Sequence, residues 1–159
     1  MRNKARIFLN SLHAETASTK DQTCTFLFNT LDLEPSSDEV MYARLSYFSI
    51  KKTGFNAGAI STILFTINKQ SFNNYATSSN TKIIVSDTNI LGFVGVGSSI
   101  NTYNNTFQNE YIRVANNTFE GELTINLQDQ DGTLLPDAYS DLWEAVIDVY
   151  TKPQSCGCE

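Results

Sequence analysis

The chain has 159 residues, 18% of them charged, and a net charge of −6 from 11 Lys and Arg against 17 Asp and Glu. That length suits one domain with its own core. The acidic balance, with its cations scattered, excludes a general nucleic-acid binder, which needs clustered Lys and Arg to neutralise phosphates. Sparse charge and abundant Asn, Ser and Thr fit a sandwich with neutral polar outer faces.

At the start of the chain, Arg2, Lys4 and Arg6 form a basic cluster that reads as a frayed, solvated terminus. Ile7-Phe8-Leu9 follow, but Asn10, Ser11 and His13 interrupt them before the roughly seven apolar residues of a signal h-region. No stretch approaches the ~20 apolar residues of a membrane span, so the expectation is a soluble protein made in the cytosol, with no membrane span.

Most later segments alternate apolar and polar residues with period two. Residues 5–12 predict a first strand and 24–33 a second; 34–38, which contain Pro35, predict a loop. Residues 40–50 predict a long central strand, with Met41, Ala43, Leu45, Tyr47 and Ser49 on one face and Tyr42, Arg44, Ser46, Phe48 and Ile50 on the other. The β-branched and aromatic run 60–67 is a fourth strand, followed by a long polar loop over 68–80. Shorter strands are expected at 82–85 and 90–96, the latter loosened by Gly92, Gly95 and Gly97, and a second polar loop over 98–109. Residues 111–114 and 122–127 are strands flanking a turn at 115–118, and a helical turn is expected over 136–142, with Pro136 near its start. In the last strand, 143–151, Trp143, Ala145, Ile147 and Val149 face one way and Glu144, Val146, Asp148 and Tyr150 the other.

This pattern predicts an all-β fold: a single antiparallel β-sandwich, a jelly roll of about eight strands over residues 1–152, with 153–159 a flexible Cys-containing tail. An immunoglobulin-like sandwich is the rival, disfavoured by the absence of paired cysteines, the long later loops and the length. Cys24, Cys156 and Cys158 are odd in number, so no disulfide framework is expected, and two thiols in a tail do not make a zinc site. Asn104 and Asn116 lie in Asn-x-Thr sequons, which matter only in a secretory pathway.

Several motifs invite a chemical reading. Asp129-Gln130-Asp131-Gly132-Thr133 directly follows a strand, as the nucleophile and general acid of haloacid-dehalogenase-type phosphatases do. Too little chain follows Asp131 for the roughly 30 residues of a further βαβ unit; Lys152 is the sole downstream Lys, and Asp137, Asp141 and Glu144 are the nearest acidic candidates for magnesium. An EF-hand would need Glu six residues after Gly132, where Ala138 stands. The expected role is a tight turn in which Gly132 supplies positive φ and the Asp side chains bond backbone amides.

His13, the one histidine, removes multi-His metal sites and leaves a Ser-His-Asp triad without a Gly-x-Ser-x-Gly elbow. Glu110, Glu120, Glu122, Asp129 and Asp131 are the carboxylates from which a glycosidase pair, roughly 5 to 9.5 Å apart, would have to come; in loops and turns they are expected to be solvated. The glycines from 92 to 97 lack the Lys and helix of a phosphate loop. Tyr75, Tyr103 and Tyr139 fall in expected loops, open to a partner or a sugar. The reading is of a non-enzyme, with no catalytic, cofactor-binding or metal-ligating residue assigned and no cofactor or small-molecule substrate.

Three segments carry a family resemblance: residues 39–50 (EVMYARLSYFSI), 121–132 (GELTINLQDQDG) and 142–150 (LWEAVIDVY). Together they resemble the single jelly-roll penton, or vertex, proteins of icosahedral DNA viruses and virophages whose main capsid protein is a double jelly roll. The resemblance implies a homopentamer at the capsid fivefold vertices, made in the host cytoplasm and partnered by major and minor capsid proteins. It also implies strands standing roughly upright and termini that touch neighbours. The alternative is a carbohydrate-binding jelly roll or a trimeric head of spike or tumour-necrosis-factor type.

Overall fold

The computed structural model describes residues 4–18, 21–27, 35–51, 60–77, 84–95, 102–105, 110–117, 119, 121–136 and 141–154. Twelve strands run through them: β1 (Lys4–Asn10), β2 (Thr16–Ala17), β3 (Thr23–Leu27), β4 (Glu39–Lys51), β5 (Thr62–Ile67), β6 (Phe72–Thr77), β7 (Ile84–Thr88), β8 (Ile90–Gly95), β9 (Thr102–Asn105), β10 (Ile112–Arg113), β11 (Glu122–Gln128) and β12 (Trp143–Pro153). A single 3-10 turn, Ser11–His13, is the one helical element among them. No helix among the described residues is long and apolar enough to cross a membrane.

Two five-stranded antiparallel sheets form the sandwich. One, the β4 sheet, runs β1-β12-β4-β10, with β9 on the same edge of β4 as β10; the other, the β11 sheet, runs β2-β3-β11-β5-β8. With the short β2 and the accessory β9 set aside, β1 pairs with β12, β3 with β11, β4 with β10 and β5 with β8. First meets last and each next strand meets the next from the end, as when one long antiparallel ribbon is rolled up. That nesting defines a jelly roll, in agreement with the sequence pattern. A β6-β7 hairpin lies outside both sheets, tied to them by the Phe72↔Val114 bridge.

Alternation along β12 supplies one side of the core: Trp143, Ala145, Ile147 and Val149 are buried, as their spacing predicts. Opposite, β11 turns in Leu123, Ile125 and Leu127, and β5 turns in Ile63, Phe65 and Ile67. Trp143 stands between the sheets, its ring centroid 5.9 Å from Phe26, 5.8 Å from Phe65 and 6.2 Å from Phe48. Its indole Nε1 donates to the Asp21 carbonyl at 2.8 Å, which satisfies the one polar atom that would otherwise make so large a side chain costly to bury.

Strand β4 departs from the expected alternation. Met41, Ala43 and Leu45 are buried together, but beyond them Phe48 and Ile50 are buried in place of Tyr47 and Ser49, which the alternation puts on the same face as Met41. The cause is a bulge: Val146 pairs with Tyr47 and the next residue, Ile147, with Leu45, so Ser46 has no opposite number. One extra residue reverses the phase of everything after it, and Ser46 Oγ donates to the Val146 carbonyl at 3.1 Å across the irregularity. A second bulge puts Leu91 and Gly92 opposite Phe65, so the described part of the glycine-rich run, up to Gly95, is a strand with a bulge.

Four further expectations are corrected. The segment 68–80 was expected to be loop but contains β6, and 98–109 contains β9, which pairs with Phe48–Lys51 at the end of β4. Lys4 and Arg6 belong to β1, fully paired with β12, and are not frayed. The first strand stops at Asn10, whose side chain accepts from Leu12 N to start the 3-10 turn. Residues 28–33 of the expected second strand, residue 34 of the expected loop, Arg2, and most of the expected helical turn and tail (137–140 and 155–159) lie outside the described residues; β12 itself reaches Pro153.

Deleting Ser46 is expected to expose Phe48 and Ile50, at a cost of about 3–6 kcal/mol from those two side chains alone. Ser46→Ala keeps the phase and loses one hydrogen bond, about 1 kcal/mol. Urea unfolding midpoints of the two variants check the ratio; equal, small effects would remove the phasing role given to Ser46.

Candidate interaction surface

The residues that the sequence offers for catalysis are spread over the sandwich. Asp129 follows β11 and makes a turn: its Oδ1 accepts from Asp131 N at 2.9 Å and from Thr133 N at 3.0 Å, while Gly132 N donates to the Asp129 carbonyl at 3.0 Å. Gly132 has φ +79°, and the Gln128↔Leu134 bridge carries the chain back along the strand. This is the turn that the sequence predicts. Lys152 lies on the other sheet, its Nζ 4.7 Å from the centroid of the Tyr42 ring. Asp141 Oδ1 accepts from Leu142 N, and Glu144 Oε1 accepts from Asn10 Nδ2 at 3.0 Å. Asp131, Glu110 and Glu122 are exposed, and Asn116 Oδ1 accepts from Gln70 Nε2 at 3.0 Å. Tyr75 is in β6, and Tyr103 and Asn104 are in β9, in strands where loops were expected. Asp137, Tyr139, Glu120, Cys156 and Cys158 lie outside the described residues. No group of three His, Cys, Asp or Glu able to hold a metal occurs among the described residues.

The two outer faces differ sharply. On the β11 sheet the outer face is largely neutral, with Glu122 at the end of β11 as its carboxylate: Thr25 and Thr124 hydroxyls bond each other at 3.0 Å, and Thr23 donates to Asn126, which donates to Asn68. This half matches the neutral polar faces expected from composition.

The outer face of the β4 sheet does not. Successive cross-strand rows place Asn10, Glu144 and Ser49 side by side, then Phe8, Val146 and Tyr47, then Arg6, Asp148 and Arg44, then Lys4, Tyr150 and Tyr42, the last beside Arg113. Tyr42 and Tyr150 stack at 5.2 Å between centroids, and Tyr111 meets Tyr150 edge-on at 4.7 Å. Arg44 caps the set, its guanidinium carbon 4.5 Å from the Tyr111 centroid, a favourable cation–π placement.

Asp148 anchors the charged row. It is 8% exposed and accepts from Arg6 Nε at 2.6 Å, from Arg6 Nη2 at 3.2 Å and from Arg44 Nη2 at 3.1 Å. Burial by itself raises the Asp148 carboxyl, but the bonds from Arg6 and Arg44 outweigh it and hold the group below its ordinary value. The same contact raises Arg6, chiefly through its hydrogen bond to Asp148.

The Phe8 row is apolar and open. Phe8 is 74% exposed on β1, which among the described residues is paired on one side only. A hollow of about 660 Å³ runs from Phe8, Tyr47 and Val146 round this strand edge to His13, Glu15 and Leu27. His13, on the 3-10 turn, thus lines a surface hollow.

The third cysteine is inert by position. Cys24 is fully buried, its Sγ 3.6 Å from the Asp21 carbonyl, and burial pushes its thiol up to about 12, with the nearby Asp21 charge adding to the rise.

Sequence reading missed this surface, although half of its signal was present. Tyr42 with Arg44, and Glu144, Asp148 and Tyr150, are each assigned to one face of their own strands by alternation alone. Which strand lies beside which is a long-range fact, and it is the pairing that turns separate residues into rows. No family model matches the chain, and no curated protein matches it.

Asp148→Asn is expected to cost about 1–2 kcal/mol, since both arginines can recover water when their acceptor is weakened. Because the folded carboxyl titrates below the ordinary Asp value of about 3.9, its contribution is complete above that pH and is lost as pH falls through the folded value. The variant should therefore show a shallower loss of stability on acidification, measured by urea melts across the acid range. Cys24 should resist iodoacetamide at mildly alkaline pH in the folded chain and react once urea unfolds it, read by peptide mass. Alkylation of the folded chain at the rate of a free thiol would contradict its burial.

Proposed function

We propose that this chain is a structural virion protein: a penton, assembling as the homopentamer at the fivefold vertices of an icosahedral capsid, made in the host cytoplasm and contacting major and minor capsid proteins. The observation that carries the reading is the rolled strand order, β1-β12-β4-β10 against β3-β11-β5-β8, in one compact sandwich. It is the architecture that the resembled vertex proteins share, and jelly rolls of this kind recur in viral shells. Fold alone does not dictate function, so the support from sequence lies in the segments 39–50, 121–132 and 142–150, which correspond to β4, β11 with its turn, and β12.

A second reading, a carbohydrate-binding jelly roll, is favoured by one observation: the hollow sets the aromatic rings of Phe8 and Tyr47 beside the polar groups of Glu144, Asn10 and His13, a combination that suits a sugar's apolar face and hydroxyl rim.

Native mass spectrometry of the purified chain separates the readings. The vertex reading expects a species of five times the 17.7 kDa chain that binds nothing on a glycan array. A threefold mass would replace it with a trimeric head, and glycan binding by a monomer would replace it with the second reading.

A further inference from the structure

The charges of this chain are segregated. Seven Lys and Arg have described side chains, and six of them, Lys4, Arg6, Arg44, Lys51, Arg113 and Lys152, occupy outward positions of the β4 sheet; Lys69 is the exception. The strands of that face carry only two outward carboxylates, Glu144 and Asp148. Since the whole chain has a net charge of −6, a face with this cation excess leaves the remaining surface more acidic than the total. The face is also rich in Tyr and Arg, the residue types that with Trp dominate the energetics of protein interfaces. Arg113 Nε is buried on it without a hydrogen-bond acceptor among the described residues.

From this we infer that the outer face of the β4 sheet is covered by a second copy of this chain, which presents to it an acidic surface from elsewhere on the fold. Placing two such faces against each other would oppose like charges, which costs free energy and directs association away from a twofold contact. Meeting a different, acidic patch makes the contact heterologous, and repeated heterologous contacts close into a ring when the rotation between copies divides a full turn. A described surface of the right sign is the hollow around exposed Leu12, lined by Asp21 and Asp141 and, among the described residues, by no cation. The inference rests on the assembly proposed above for the number of copies in the ring, but it identifies the surface independently.

The test uses the full chain, with oligomer mass followed across protein and salt concentration. Reversing the exposed cations in the double variant Lys4→Glu, Lys152→Glu should weaken assembly by at least about tenfold, while Lys69→Asp, a charge reversal away from the face at a positive-φ position that Asp tolerates, should leave it intact. Added salt should weaken the wild-type assembly. Far-ultraviolet circular dichroism confirms that each variant folds, and Tyr47→Ser, which alters no charge, provides a second probe of the face and should also weaken assembly. A pentamer unaffected by the double variant and by Tyr47→Ser overturns this inference and leaves the vertex reading standing. An assembly of another number, lost on reversal, supports the surface and removes the vertex reading. A twofold dimer, or a monomer at every concentration, overturns the heterologous contact.

Discussion

The sandwich depends on the contact that Trp143 makes across it. The indole belongs to β12, in the centre of the β4 sheet, yet two of its ring partners, Phe26 and Phe65, come from β3 and β5 in the opposite sheet. Aromatic pairs at these distances contribute beyond the area they bury, and here they join strands remote in sequence at one point. The Asp21 carbonyl and Ser11 Oγ fix the same residue by its side chain and its backbone, so the indole also sets where the first connection of the chain lies.

Phe48 reaches that cluster only because of Ser46. A regular strand would point Tyr47 inward and leave Phe48 in water; the bulge exchanges them and so completes the core and the outer face together. This exchange marks the limit of what the sequence makes legible. Along β12 the period of two is unbroken and the buried set reads off directly from Trp143 to Val149. Along β4 the same rule succeeds to Leu45 and fails after it, because an inserted residue has no signature in its own strand and exists only relative to β12. Strands β6 and β9 escape detection for a related reason: Asn73, Asn104 and Asn105 have low strand propensity, and the pairing that holds them comes from neighbouring backbone, β7 for one and β4 for the other.

The outer surface was legible by residue type but not by arrangement. Arg6 looks like part of a loose basic terminus until Asp148, 142 residues later, is found opposite it. Conversely, Asp129 and Asp131 look like a reaction centre until the hydrogen bonds of the Asp129 carboxylate are traced to backbone amides two and four residues on. In both cases local chemistry is ambiguous, and the partner decides. The outcome is a molecule with one largely neutral sheet and one that is aromatic and cationic, an asymmetry that a composition averaged over the chain conceals.

The place of β12 has a consequence for how the molecule is made. It is the last described strand in the chain, and it lies between β1, the first, and β4. While the polypeptide emerges from the ribosome, those two strands therefore have an empty lane between them, each showing a row of unmet amides and carbonyls to solvent. The β11 sheet can assemble earlier, but without Trp143 it has nothing to close upon. The β4 sheet is thus completed by an insertion, and until it occurs the nascent chain is at its most vulnerable to pairing with the strands of another chain.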